Sequence, residues 1–202
     1  PDALWVEYID AGYTLCMELK GRIDRYKAEF GRIPKIIMLK NHGIFVSGDS
    51  AEEIRSLYAG VMEPLRAEYD ALGVNEDLGI GDAGQDPQTV SAIRDIFGED
   101  AQFIESSGFF ECVPGPITPD HLVYARAYPF SEELTRENAD AYRAKHGFAP
   151  KVVIHGDRIY GLGVTEKNAG LALLFAQDGA QVLKLSQAFG GVEYMTDRAR
   201  EF

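Results

Sequence analysis

The chain lacks the hallmarks of several protein classes. Its two cysteines, Cys16 and Cys112, are too few for a disulfide framework and do not have the spacing of a metal site. No apolar run approaches the roughly 20 residues that a membrane-spanning helix needs. Basic residues are scarce, since 20 Lys and Arg stand against 32 Asp and Glu. The net charge of −12 argues against nucleic-acid binding. We therefore expect a cytoplasmic protein that binds neither nucleic acid nor a membrane.

A stretch of ten residues occurs in the chain twice in similar form. Residues 26–35 and 142–151 share Tyr, a basic residue, Ala, Gly, Pro and Lys in register. After each copy come two short apolar segments separated by a turn, and then a helix that opens at Ser50 or at Thr165. The pattern predicts that one helix–hairpin–helix unit is present twice, over residues 22–72 and 138–189.

The order of these elements predicts a mixed α/β fold with a largely antiparallel sheet and flanking helices. Strands that are joined by short turns pair antiparallel, whereas parallel strands need long crossovers. Residues 1–75 form the first predicted domain and residues 76–109 a linker with a connecting helix. Residues 110–202 form a second, related α/β lobe. A strand is predicted at residues 109–113.

One motif in the predicted linker matches a dinucleotide-binding fingerprint. Gly79, Gly81 and Gly84 have the G-x-G-x-x-G spacing. This motif binds pyrophosphate only between a strand and the first turn of a helix. Here it follows the polar residues 75–77, so we interpret the segment as a flexible linker.

Two of the four histidines are candidate site residues. His42 lies between Asn41 and Gly43 at the tip of an otherwise apolar hairpin, where it is either a metal ligand or a structural turn residue. Local sequence alone favours the turn residue. His121 follows a Pro-Gly-Pro loop and is a ligand, a phosphate contact or a structural residue beside a helix N-cap. No His-X-His or His-Glu-X-X-His occurs, so spacing alone does not establish a metal site.

Three segments together resemble the class II aldolase/adducin family. Residues 35–53, with Asn41-His42-Gly43 at their centre, are similar to the Asn-His-Gly stretch of that family. Residues 4–13 and 116–121 resemble its longer members, which include rhamnulose-1-phosphate aldolase/dehydrogenase-like proteins, although Ala11 stands where Pro is usual. The resemblance implies a class II aldolase-like fold.

The resemblance also implies a function. In the family the His of Asn-His-Gly is the third zinc ligand, an upstream His-X-His supplies the other two, and an upstream acidic residue acts as acid/base. His42 becomes the expected zinc ligand, and we assign Asn41, Gly43 and His121 to substrate binding. The implied reaction is retro-aldol cleavage of a sugar phosphate to dihydroxyacetone phosphate and an aldehyde, in a homo-oligomer.

The sequence departs from the family pattern in one respect that matters for activity. Neither the His-X-His nor the upstream acid has a counterpart in the chain, and a catalytic zinc needs three protein ligands. We assign no catalytic residue. Because the chain opens at Pro1, we expect the C-terminal portion of a longer aldolase that is inactive by itself. The alternatives are a non-catalytic, adducin-like interaction module and a sugar-phosphate epimerase of the same superfamily.

Overall fold

A computed structural model describes residues 3–81 and 83–196, and the chain divides into two compact units, Pro1–Gly73 and Val74–Phe202. The first unit contains β1 (Ala3–Val6), α1 (Tyr13–Phe30), β2 (Ile36–Leu39), β3 (Gly43–Val46) and α2 (Ala51–Leu72). The second contains α3 (Pro87–Phe97), β4 (Phe103–Gly108), α4 (Pro119–Tyr124), α5 (Arg136–His146), β5 (Val152–His155), β6 (Arg158–Gly163) and α6 (Glu166–Ser186), with short 3₁₀ helices at Gly98–Ala101 and Gln187–Phe189. The mixed α/β class, with small antiparallel sheets and flanking helices, is confirmed. No helix in the described residues has the length and apolar content needed to cross a membrane.

The first unit has a three-stranded sheet in the order β1-β2-β3. β2 and β3 are antiparallel, as their short turn predicts, whereas β1 runs parallel to β2 and is joined to it through α1. Val6, Ile37 and Leu39 are buried and pack against the apolar face of α1, where Leu15 and Leu19 lie. This small core fixes the sheet, and the β2–β3 turn carries His42.

The second unit has three layers. Its antiparallel sheet has the order β4-β6-β5. Alternate residues of β6 face opposite sides, so Tyr160 and Leu162 pack in a cluster with residues of α3 and α5, while Ile159 packs in a cluster with residues of α6. α6 reaches the sheet closely because its buried face consists mainly of small residues and because β6 has glycines at positions 161 and 163.

The strand predicted at residues 109–113 is wrong. The strand that pairs with β6 is β4, at Phe103–Gly108, although it contains two serines and a glycine. Residue-by-residue pairing with the central strand decides the structure here and overrides the low β propensity of these residues. The apolar character of the following segment has another cause, since Phe110 is buried in the cluster beneath α6.

The Gly-rich segment of residues 75–85 belongs to the second unit. Side chains of that unit donate hydrogen bonds to its carbonyl groups: Gln181 to Glu76, Lys184 to Asp77 and Arg158 to Ala83. Leu78 and Ile80 pack against the apolar cluster beneath α6, and residues 75–81 and 83–85 have no regular secondary structure. The three glycines therefore do not lie between a strand and a helix. α3 also supplies core residues to this unit, so residues 76–109 are structurally part of the second unit and are more than a connection.

Residues 22–72 and 138–189 contain the same order of elements. Each has a helix, an antiparallel strand pair and a second helix. The second helix is capped in the same way in both, because Ser50 Oγ accepts from the Glu53 N–H at 3.1 Å and Thr165 Oγ1 accepts from the Asn168 N–H at 3.1 Å. Common order is what a duplication predicts, and the duplication itself stays a prediction.

The aromatic pairs that end the first helix of each segment also match. The rings of Tyr26 and Phe30 are 4.6 Å apart, and those of Tyr142 and His146 are 4.5 Å apart. His146 also lies 4.6 Å from the ring of Tyr128. Burial, together with the charge of Lys145, lowers the pKa of His146, so the fold favours the neutral imidazole.

We predict that Gly161→Ala destabilises the protein by at least about 3 kcal/mol. A Cβ at this position would lie 2.4 Å from the carbonyl oxygen of Ala169, and backbone of a packed helix cannot move aside as a side chain can. Gly170 lies on α6 with open space around it. Gly170→Ala should therefore stabilise the protein by about 1 kcal/mol, because alanine has the higher helix propensity. Chemical denaturation of both variants measures the difference, and equal stabilities would show that the helix does not need this approach.

We also predict a pH dependence of stability that His146→Phe reduces. A histidine whose pKa is lowered by the fold stabilises it above the pKa of the unfolded state, about 6.5, and this contribution is lost as the pH falls below that value. The drop in melting temperature between pH 7.5 and pH 5.5 should be smaller in His146→Phe than in the wild type. Replacement of the exposed His155 by Gln is the control and should leave the drop unchanged. The same drop in all three proteins would contradict the prediction.

Candidate functional site

The backbone of the β2–β3 turn explains two of the three residues in Asn41-His42-Gly43. Asn41 has a φ of 56° and Gly43 a φ of 134°. Asn is one of the few non-glycine residues that tolerate the left-handed region, and a φ of 134° is accessible chiefly to glycine. The His42 N–H closes the turn on the Leu39 carbonyl oxygen at 3.1 Å. The turn therefore fixes the backbone of His42 and leaves its side chain to be positioned by other residues.

The segment after β1 holds the imidazole of His42. The ring is stacked on that of Tyr8, with centroids 5.2 Å apart and an interplanar angle of 9°, and its Nε2 lies 2.8 Å from the Ile9 carbonyl oxygen. A carbonyl oxygen can only accept, so Nε2 carries the hydrogen and the lone pair of the neutral ring lies on Nδ1. Metal-binding histidines are commonly oriented in this way, with one ring nitrogen donating to a carbonyl and the other left for the metal.

Tyr8 is a site residue to which the sequence analysis assigned no role. Its hydroxyl oxygen is buried without a hydrogen-bond partner in the described part of the chain. Burial, and then the nearby Asp10 carboxylate, raise the pKa of Tyr8, so the phenol stays neutral beside the imidazole. The signal available in the sequence was its place within residues 4–13, one of the segments on which the family resemblance rests.

The residues around His42 do not complete a zinc site. Within residues 3–81 and 83–196 no group of three or more His, Cys, Asp or Glu side chains is placed to hold a metal ion. Zinc takes four ligands, of which the protein supplies three in catalytic sites. The described residues thus offer His42 as one oriented nitrogen donor, and by themselves they do not fit a zinc ion.

His121 belongs to the second unit. It lies in α4 and is almost fully buried, with 4% of its surface exposed. Thr118, the N-cap of that helix, accepts from the His121 backbone N–H, and its hydroxyl lies 2.8 Å from Nδ1. Nε2 lies 3.2 Å from Asp178 Oδ2 but forms no hydrogen bond with it. The structural role beside an N-cap is therefore present, and Nε2 remains open to a further partner.

A recess beside His121 is lined by a small set of mainly apolar residues, among them Cys112, His121, Arg126, Val152, Phe175 and Ala176. It holds about 330 Å³ of empty space, counting the part open to solvent, and a water-sized sphere can be centred in about 20 Å³ of it. That is room for about one water molecule. A whole sugar phosphate does not fit inside it.

Cys112 in the wall of the recess is an unreactive thiol. Burial raises its pKa to about 12, so the thiolate that nucleophilic chemistry requires is absent at neutral pH. Arg126 is the residue of the recess that the sequence analysis did not single out. Its unusual backbone, with a φ of 67°, is a property of the folded loop that residue spacing does not reveal.

Comparison with known proteins adds no assignment. No protein-family model, no curated protein and no solved structure matches the chain. The resemblance to class II aldolases rests on the three sequence segments described above.

Proposed function

We propose that the chain is the C-terminal portion of a zinc-dependent class II sugar-phosphate aldolase, in which His42 is one of the metal ligands. The observation that supports this proposal is the hydrogen bond from His42 Nε2 to the Ile9 carbonyl oxygen. It fixes the tautomer and leaves the lone pair of the ring on Nδ1. A histidine needed only to close the turn would not require an oriented ring, because its backbone N–H already closes it.

In this proposal the other ligands come from an upstream His-X-His of the longer protein. The substrate is a sugar phosphate, and the active form is a homo-oligomer. Asn41 and Gly43 contribute the turn that presents His42 and stand next to the substrate. A sugar-phosphate epimerase would use the same ligand set, and the products of the reaction separate it from an aldolase.

A second candidate is a non-catalytic interaction module of the adducin type. The observation in its favour is the surface of α2, a helix of 22 residues whose only buried residue is Tyr69. Ile54, Tyr58 and Leu72 on this helix are exposed apolar residues. Exposed apolar surface of this kind is typical of protein–protein contacts.

We predict that residues 1–202 alone bind zinc weakly and through His42. One ligand holds the ion loosely, because water or a neighbouring molecule must complete its coordination. Calorimetric titration of zinc into the chain and into His42→Ala should show weak heats that the substitution removes, while His155→Ala behaves as the wild type. Tight stoichiometric binding that survives His42→Ala would place the metal elsewhere.

We predict that His42→Ala in the full-length protein reduces retro-aldol turnover by orders of magnitude, as loss of one zinc ligand should. Stability should change only within the ordinary range of about 0.5–3 kcal/mol. A coupled assay on rhamnulose 1-phosphate and fuculose 1-phosphate measures turnover, with His155→Ala as the matched control. Equal activity in the wild type and His42→Ala would reject the zinc role. A folded but inactive full-length protein would favour the interaction module, and epimerised product would favour the epimerase.

A further inference from the structure

Parallel pairing of β1 with β2 brings Tyr8 next to His42. The Lys40 N–H donates to the Val6 carbonyl oxygen at 2.9 Å, at the point where both strands end. Two parallel strands end at the same edge of a sheet, so the residues that follow β1 meet the turn that follows β2. The chain after β1 therefore delivers a phenol ring and a carbonyl oxygen, from Tyr8 and Ile9, to one imidazole.

Two contacts of different kinds hold the His42 ring. The hydrogen bond from Nε2 to the Ile9 carbonyl oxygen, at 2.8 Å, fixes one direction in the plane of the ring. By itself this bond leaves the imidazole free to turn about that direction. The Tyr8 ring removes this freedom, because the two rings are nearly parallel, at 9°, with centroids 5.2 Å apart. The hydrogen bond and the stack together define the plane of the ring and its tautomer.

A hairpin turn does not hold an imidazole in this way by itself. His155 ends β5 at the hairpin turn of the second unit, and its side chain is exposed. In the described part of the chain the histidines with aromatic ring contacts are His42, His121 and His146. A histidine at a hairpin turn is therefore left free unless another segment supplies a partner, and for His42 that segment is residues 8–9.

The flat face of Tyr8 makes the contact with the imidazole, and the hydroxyl takes no part in it. The hydrogen bond of the His42 ring goes to Ile9, and no hydrogen bond within the described residues joins the Tyr8 hydroxyl to the imidazole. Phenylalanine offers the same flat face without the hydroxyl, whereas leucine offers apolar bulk without a flat face. These two substitutions therefore separate the effect of the stack from that of the hydroxyl.

We propose that Tyr8 is the positioning residue of His42. Its ring holds the imidazole in the plane in which Nε2 donates to the Ile9 carbonyl oxygen, and it thereby keeps the lone pair on Nδ1. Loss of a partner that orients a histidine ligand typically weakens metal binding by about 10- to 100-fold. The use of Nδ1 as a metal donor rests on the proposed function, whereas the role of Tyr8 toward the ring needs no metal.

NMR of the imidazole N–H groups in the full chain, without metal, tests the proposal. A hydrogen-bonded Nε2 proton is protected from exchange with water and gives a signal, which His42→Ala assigns by removing it. Tyr8→Phe should keep this signal, and Tyr8→Leu should lose it. Tyr13→Leu is the matched control, because Tyr13 is an exposed tyrosine at the start of α1, and it should keep the signal.

The backbone amide spectrum shows whether each variant is folded, and Tyr8→Met takes the place of Tyr8→Leu if the latter is not. A signal that persists in the folded variant would overturn the proposal, as would its absence from the wild type. Loss of the signal in Tyr8→Phe would give the role to the hydroxyl and overturn it too. Unfolding of both Tyr8→Leu and Tyr8→Met would overturn it by showing that Tyr8 serves the core of the first unit. The expected pattern in a chain whose His42 binds no zinc would keep the role of Tyr8 and reject the proposed function.

Discussion

The second unit depends on the contact between the backbone of α6 and the central strand β6. Without side chains at Gly161 and Gly163, the first turns of the helix reach the strand, so that any Cβ there would collide with backbone atoms of residues 168–173. The small residues along the buried face of α6 extend this contact. The same helix carries Phe175 and Asp178, and it therefore sets one wall of the recess and the carboxylate nearest to His121. A change in the helix–strand distance would move both together.

The sequence predicted those features that are decided by local chemistry. The helix starts at Ser50 and Thr165 follow from hydrogen-bond needs within a few residues, since each side chain accepts from a backbone N–H three positions on. β4 was not predictable in this way, because its serines become a strand only through pairing with residues more than 50 positions along the chain. The conformation of Arg126 could not be predicted for the same reason, since its positive φ and its unpartnered Nε arise from the folded loop.

His42 and His121 are held in different ways by the fold. A turn fixes the backbone of His42, and a carbonyl oxygen from a distant segment selects which ring nitrogen carries the hydrogen. His121 is instead tied to its own helix cap through Thr118, and burial presents its second nitrogen to an apolar recess. The first arrangement leaves the lone pair of the ring on Nδ1, and the second places Nε2 3.2 Å from Asp178 Oδ2. Spacing along the chain could name both residues but could not show how their rings are held.

The segment of residues 75–85 is fastened to the second unit through its backbone carbonyl groups. Every amino acid offers the same carbonyl oxygen, so substitutions within the segment leave these hydrogen bonds available. The donors Arg158, Gln181 and Lys184 are specific side chains and have no such freedom. In related sequences the Gly-rich segment should therefore vary more than the three positions that donate to it. Although its composition is that of a flexible linker, the segment should resist proteolysis as long as those three side chains are present.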